Sequence, residues 1–577
     1  MRTPPADLRL YYLQRPPPTF MTLVPLQTYF PSLEQLFPSI AEQHKGSPTL
    51  AAKELVTEIQ ADSSVVEDLQ TKERRTVPTW LRMVHLVEPV DAMSGEILLP
   101  TDGGLPTFRE AWQRALRKLN DPYNEAYTDA VFACMASRLV ETGRSPHFCR
   151  FYGTFNARMP EYKYNITDEI QDIQDEDWFH EGVEKGFFTI LATDPANPDA
   201  SAELKVWARS HKQRPRLVLD RMTASSAGSA GSADSAGSAG SEGSEILLVE
   251  ADIEVSGDAV VQRPQIQLSR VGSQSGSQQS AGSDSGASAE TEDETEYFAL
   301  LKNFPVQLTV LERCDGTLDD LMEDEIADTA TDAMRETKEE RWTAWIFQVI
   351  AGLVAIQQTY DCVHNDLHTN NVMWSGTGET HLYYHVAGAA GGDRYYRVPT
   401  YGRLMKIIDF GRATFRAGTD NRVWFPDAYA PDAVAGGQYN CGAYYEQGRP
   451  KVMPNKSFDL CRLSVSILDT LWQDPVEEVK PRRPLTREQA ETTSPLWNLM
   501  WLWLTDREGR NVLRNPDGSE RYPAFDLYCA IARDVQNAVP AQQLTLPLFD
   551  NVFRCKRKDI PADATIWKLQ AIVNAKK

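Results

Sequence analysis

A helical run that ends in a polar loop constrains this chain more than any other stretch. Between Arg341 and Tyr360, the residues Trp345, Ile346, Val349, Ile350, Leu353 and Ile356 recur at helical spacing and give one apolar face. The run leads directly into Cys362-Val363-His364-Asn365-Asp366-Leu367-His368-Thr369-Asn370-Asn371-Val372-Met373. A second apolar run, Leu404-Met405-Lys406-Ile407-Ile408, breaks in the same way at Asp409-Phe410-Gly411-Arg412. A buried helix holds rigid whatever stands at its end. Here that is a carboxylate flanked by histidine, an amide five residues later and, further on, a second carboxylate. This set suits phosphoryl transfer: Asp366 can accept the proton of a hydroxyl, while Asn371 and Asp409 supply the oxygen donors that a hard ion such as Mg2+ takes.

The two motifs, H-x-D-L-H-x-x-N and I-D-F-G, resemble the catalytic and metal-binding loops of the protein-kinase superfamily. The wider phrasing, His364-Asn365-Asp366-Leu367-His368-Thr369-Asn370-Asn371-Val372-Met373 with Ala435-Gly436-Gly437-Gln438-Tyr439-Asn440 and Ser457-Phe458-Asp459-Leu460-Cys461-Arg462-Leu463, is similar to the Ser/Thr kinases of nucleocytoplasmic large DNA viruses. The resemblance implies an α+β, bilobal, protein-kinase-like fold with a small β-rich N-lobe and a helical C-lobe. It implies ATP and Mg2+ as cofactors and a protein Ser/Thr hydroxyl as acceptor, with Asp366, His368, Asn371 and Asp409 catalytic and Asn371 and Asp409 on the metal. It further implies that Asp459 supports the catalytic loop from a helix opening at Ser457.

Most such kinases carry Arg before the catalytic Asp and Lys two residues after it, where this chain has Asn365 and His368. Losing that Arg removes a partner for a phosphorylated activation loop, so activity independent of such phosphorylation is expected. The D-L-H-x-x-N form also resembles haspin-like and aminoglycoside or choline kinases, which keeps a small-molecule acceptor open.

Upstream, the sequence reads as an arm, an N-lobe and an insert. Residues 1–45, with Arg15-Pro16-Pro17-Pro18, form a Pro-rich arm; 46–311 the N-lobe; 312–577 hinge and C-lobe. Thr49 to Gln60 has helical spacing, and Thr79 to Val87 alternates as a half-buried strand. Asn124 to Glu141 is helical, and Ser145 to Gly153 reads as a strand. By resemblance these are the αC helix and the fourth strand, with Glu125 the acid that orients the nucleotide-binding residue and Asp129 its rival. Phe304 to Leu321 resembles fifth strand, hinge and following helix, so Leu311 lies at the gatekeeper position and Glu312 to Cys314 meet adenine.

No G-x-G-x-x-G precedes residue 80, and the strand expected to carry the phosphate-anchoring lysine carries Arg82 instead. Lys45 falls in an expected loop and Lys53 in the expected helix. Ser-Ala-Gly tracts at 223–244 and 272–294, within an acidic insert at about 223–298, are too polar to bury a core. Between Asn371 and Asp409 the alternating runs from Thr380 and from Arg394 around a Gly-rich turn read as an added hairpin. The residues from Trp497 to Val539 read as closing helices.

A net charge of −22 opposes nonspecific binding to nucleic acid or anionic membranes. Eight scattered cysteines without a C-x-x-C pair indicate neither a zinc site nor a disulfide framework and fit a reducing, intracellular compartment, host cytoplasm or virion if viral. No signal-like segment or long apolar run occurs, so no membrane partner is expected. A weakly catalytic kinase-fold scaffold or virion protein is the main competing expectation.

Overall fold

The computed structural model describes residues 9–12, 48–51, 53–60, 62–99, 115–167, 169–194, 197–204, 296–327, 331–387, 392–417, 422–424, 438–439, 452–472, 492–523 and 525–569. The Ser-Ala-Gly tracts, Gly103-Gly104, Ala430-Pro431-Asp432 and all but residues 9–12 of the Pro-rich arm lie outside them. The fold is mixed α+β: a curled antiparallel sheet with one long helix packed on it, followed by a helical part built around a second long helix.

Strand β1 (Arg9–Tyr12) pairs antiparallel with β2 (Pro48–Ala51). Strands β3 (Glu54–Ile59), β4 (Ser63–Asp68) and β5 (Arg74–His85) then form a meander. The helix expected over 49–60 is therefore two strands. Leu55, Val56 and Ile59 satisfy a helical count, but β-branched residues tolerate a pleated surface, and pairing with β4 decides the matter. The strand expected at Thr79 is β5, whose last five residues are all buried.

Helix α1 (Glu125–Glu141) starts at Asn124, whose side chain accepts from Ala126 N at 3.1 Å while its amide donates to Leu86 O at 2.9 Å. It stops before Gly143, which turns back at φ +68°. Residues 145–150 form an irregular connection rather than the expected strand, and β6 begins only at Phe151, running to Asn165. After β7 (Phe188–Asp194) and β8 (Asn197–Leu204) comes β9 (Glu296–Glu312), which pairs with β5, β6 and β7 and so serves as the sheet's spine.

Past β9, β10 (Gly316–Thr317) leads into α2 (Leu318–Ile326), started by a capping box between Thr317 and Asp320. Helix α3 (Lys338–Tyr360) is buried over most of its length, including Trp342, Trp345, Phe347, Ile350 and Leu353, each such side chain stabilising the fold by roughly 1.5–3 kcal/mol. Gly352 lets neighbours approach closely, since a Cβ there would lie 3.0 Å from both His147 Cβ and Ile407 Cδ1.

Strands β11 (Val372–Gly376) and β14 (Arg403–Ile407) pair antiparallel around the expected hairpin, β12 (His381–Val386) with β13 (Arg394–Pro399). A short hairpin follows, β15 (Phe415–Ala417) with β16 (Arg422–Trp424). Helices α4 (Phe458–Leu471), α5 (Pro495–Trp503), α6 (Phe525–Asp534) and α7 (Pro547–Phe553) complete the helical part. Residues 504–523 are not helical, contrary to the continuous reading of that region, and α6 stops at Asp534, short of Val539. The terminal strands β17 (Arg554–Cys555) and β18 (Ile566–Lys568) extend the β12–β13 hairpin on both sides into a four-stranded sheet. Phe347 of α3 packs on Tyr384, Tyr396, Phe549 and Phe553 and fastens that sheet to the core. No helix among the described residues is long and apolar enough to cross a membrane.

Candidate active site

Helix α3 ends at Asp361 in the left-handed region, φ 55°, and the chain turns into the polar loop. Asp459, fully buried in the first turn of α4, accepts from the backbone N–H of His364 at 3.1 Å and of Asn365 at 3.0 Å. This is the support expected of Asp459. His364 in turn joins the two motifs: its Nδ1 accepts from Asp366 N at 3.3 Å, and its Nε2 donates to Ile408 O at 2.8 Å. Thr369 anchors the loop's far side on Asp319 at 2.7 Å.

Strand pairing explains how residues far apart in sequence meet. Val372 faces Ile407 in the β11–β14 ladder, so Asn371 and Asp409 flank the same end of one strand pair, and Ile408 N donates to Asn371 O at 3.0 Å. The Asn371 amide donates to Asp366 O at 2.9 Å and lies 3.0 Å from His368 Nε2. Because an amide N–H is donor-only, His368 Nε2 accepts and the ring proton sits on Nδ1. Burial pushes the His368 pKa down despite the pull of Asp366, which keeps the ring neutral.

Asp409 adopts φ 66° and places Oδ1 at 2.6 Å from Arg82 Nη2. Arg82, 1% exposed on β5, also donates from Nε to Asp129 at 2.8 Å, and the other oxygen of Asp129 accepts from Phe410 N at 2.7 Å. One guanidinium thus ties strand β5, helix α1 and the Asp409 loop together. Burial works to raise the Asp409 carboxyl, but the charge and hydrogen bond of Arg82 outweigh it and hold Asp409 below the usual carboxylate range. At Asp129 burial prevails over Arg82, reinforced by the charge of Asp409, and the pKa rises. The two carboxylates raise Arg82 against its own burial, so it stays charged.

Glu125, named first as the orienting acid, is not the partner of Arg82. It stands one turn earlier on α1, at the level of Gly411, where a Cβ would lie 3.6 Å from Glu125 Cβ. Its Oε2 is buried without a hydrogen bond, and burial, reinforced by Glu88, pushes its pKa up. The rotation of α1 against β5 decides which acid faces the sheet, and spacing along the helix does not reveal it.

Leu311 is buried in β9, paired with Trp80 and Phe151. Glu312 N donates to Arg150 O at 2.9 Å, Arg150 N donates back to the Glu312 carboxylate at 3.0 Å, and Asp315 N donates to Trp374 O at 2.8 Å. Lys406, buried on β14, reaches Glu312 Oε2 at 3.0 Å and Phe148 O at 3.2 Å. Sequence reasoning passed over Lys406, although a lone charge inside Leu404-Met405-Lys406-Ile407-Ile408 is a legible signal of a buried ion pair. Lys53 lies beside β3, its ammonium ion-paired with Asp68 at 3.6 Å. The turn from Gln60 to Ser63 that joins β3 to β4 contains no glycine.

Asn365 adopts φ 68° and donates to Arg412 O at 2.8 Å and to Thr414 Oγ1 at 3.3 Å; its Oδ1 accepts from the buried Tyr439 hydroxyl. A neutral network therefore holds the segment after Gly411 against the loop. Phe410 packs between Phe132 of α1, at 4.7 Å, and His364, at 5.2 Å.

Among the described residues no three His, Cys, Asp or Glu side chains cluster as a metal cage. Asn371 and Asp409 still fit the sparse protein share of a Mg2+ shell, which phosphates and waters complete. No protein-family model matches the chain, and no curated protein matches it.

Proposed function

We propose that this protein is an ATP- and Mg2+-dependent phosphotransferase with a bilobal, protein-kinase-like fold, transferring the γ-phosphoryl group to Ser or Thr hydroxyls of a protein. The observation that carries the reading is the meeting of Asp366, Asn371 and Asp409 at one end of the β11–β14 ladder, opposite the Arg82–Asp129 pair. Elements also follow one another in the order the kinase resemblance implies, from β5 through α1, β6, β9, α2 and α3 to the loops and α4.

In this reading ATP lies between sheet and helices, its adenine against Leu311 and the linker from Glu312 to Cys314. Arg82 replaces the phosphate-anchoring lysine and Asp129 orients it, a fork suited to bidentate contact with phosphate. Mg2+ held by Asn371 and Asp409 supplies charge neutralisation at the phosphates. Asp366 takes the proton of the acceptor hydroxyl, with its backbone fixed through Asp459 and His364. His368 offers a neutral Nδ1–H to a phosphate oxygen. Asn365 and Tyr439 hold the following segment without a phosphate, so activity needs no activating phosphorylation.

Purified protein incubated with Mg2+, γ-labelled ATP and mixed protein acceptors tests this. Transfer to protein is expected from wild type and not from Asp366→Asn, a loss of about 100-fold or more. Undiminished transfer by Asp366→Asn removes that residue as the base. Two features favour a weakly catalytic scaffold instead: Arg82 sits directly on the proposed metal ligand Asp409, and the β3–β4 turn lacks glycine. Nucleotide binding without transfer supports that second reading, and transfer only to small alcohols or aminoglycosides points to a small-molecule kinase.

A further inference from the structure

The junction between sheet and helices holds two thiols that the chemistry above does not use. Cys149 precedes β6 and Cys314 follows β9, yet their Sγ atoms lie 3.5 Å apart, with the residues 5% and 9% exposed. A disulfide needs an S–S distance of about 2.05 Å, so each sulfur has only about 0.7 Å to travel. The backbone on both sides is braced within two residues: Arg150 and Glu312 exchange hydrogen bonds, and Lys406 holds the Glu312 carboxylate together with Phe148 O. These contacts keep the two thiols face to face.

We propose that Cys149 and Cys314 are a reversible oxidation site that forms a disulfide on reaction with a hydroperoxide. The two thiols are unequal. The hydrogen bond from Cys149, helped by the Lys406 ammonium, lowers the Cys314 pKa, and the same bond together with burial raises that of Cys149. Cys314 is therefore the more readily ionised of the two thiols and is assigned the first attack. It takes the distal oxygen of the hydroperoxide and becomes a sulfenic acid, releasing the alcohol or, from hydrogen peroxide, water. Cys149 then attacks the sulfenyl sulfur, and its proton leaves with the hydroxide as water. In sum, two thiols and one hydroperoxide give one disulfide, one alcohol and one water. A thiol reductant reverses the reaction.

Burial raises the pKa of Cys134, Cys362 and Cys461, and none of these three has a second sulfur beside it among the described residues. The cross-link would fix the linker whose Cys314 backbone meets adenine, and that consequence alone rests on the phosphotransferase reading.

The full chain is treated with hydrogen peroxide, quenched by alkylation, digested and mapped by mass spectrometry. A linked Cys149–Cys314 peptide, lighter by two hydrogens than its parts and lost after dithiothreitol, is expected. It should be absent from Cys149→Ser and Cys314→Ser and retained in Cys555→Ser. Both thiols remaining alkylatable after the half-buried Cys555 has been oxidised overturns the proposal, as does irreversible oxidation of Cys314 with no cross-link. Mg-ATP affinity is then measured on reduced and cross-linked wild type, with a severalfold weakening expected. An unchanged affinity refutes the coupling to the linker, whereas no binding in either state refutes the phosphotransferase reading and leaves the cross-link standing.

Discussion

The two sides of the candidate site are built differently. On the helical side, Asp366, His368 and Asn371 come from one loop, and backbone bonds through Asp459, His364 and the β11–β14 ladder fix them. On the sheet side, Arg82 and Asp129 come from separate elements and are fixed by each other and by Asp409, with charge buried almost out of reach of water. The first design lets a side chain such as that of Asp366 be replaced without loss of the fold, because its position does not depend on its own charge. The second makes function and stability inseparable, because a buried ion left alone carries its whole desolvation cost.

Substitutions on the sheet side should show this most strongly. Arg82→Ala strands Asp129 and Asp409 and is expected to cost about 3–5 kcal/mol in urea unfolding. Arg82→Lys, which cannot fork between two carboxylates, should recover only part of that. A loss under about 1 kcal/mol for the alanine variant would mean that the cluster is not closed to water. Next comes Asp459→Ala, which leaves the His364 and Asn365 N–H groups without acceptors, each worth about 1–3 kcal/mol when buried. Transfer activity should fall with it while nucleotide affinity changes less.

His147 sharpens the comparison through pH. It is fully buried, its Nδ1 donating to Met405 O at 2.8 Å and its Nε2 accepting from the Tyr384 hydroxyl at 2.8 Å. Burial lowers its pKa to about 3. Below about pH 6.5 the unfolded chain takes up a proton that the folded chain refuses. Its contribution to stability is therefore complete above that pH and declines by about 1.4 kcal/mol per unit as pH falls toward 3. Denaturant melts at pH 7 and 5 should show the slope in wild type and a shallower one in His147→Gln. Equal slopes would remove His147 as the cause.

The smallest effect is expected at Glu125. With Oε2 unpartnered and its pKa already raised, Glu125→Gln should change stability by less than about 1 kcal/mol, whereas Asp129→Asn, one turn away, weakens the Arg82 contact and costs more. Equal losses would return Glu125 to the role first expected of it.

The same contrast explains what could be read in advance. Asp366, Asn371 and Asp459 lie in local patterns whose spacing carries their geometry, and the strand of Arg82 and the helix of Asp129 were legible from periodicity. The pairing of those two residues was not, since it depends on how α1 rolls on β5. Lys406 and Glu312, and likewise Cys149 and Cys314, meet only through long-range topology. The segment over 49–60 misled because Leu55, Val56 and Ile59 fit two periods, and the partner strands that choose between them lie elsewhere in the chain.

The most direct measurement pairs Mg-ATP calorimetry with γ-phosphoryl transfer for wild type, Asp366→Asn and Asp409→Asn. The account predicts that Asp366→Asn binds Mg-ATP as wild type does yet fails to transfer, while Asp409→Asn loses Mg2+-dependent binding and transfer together. Wild-type transfer in both variants, or no Mg2+-dependent nucleotide binding by the wild type, would contradict it.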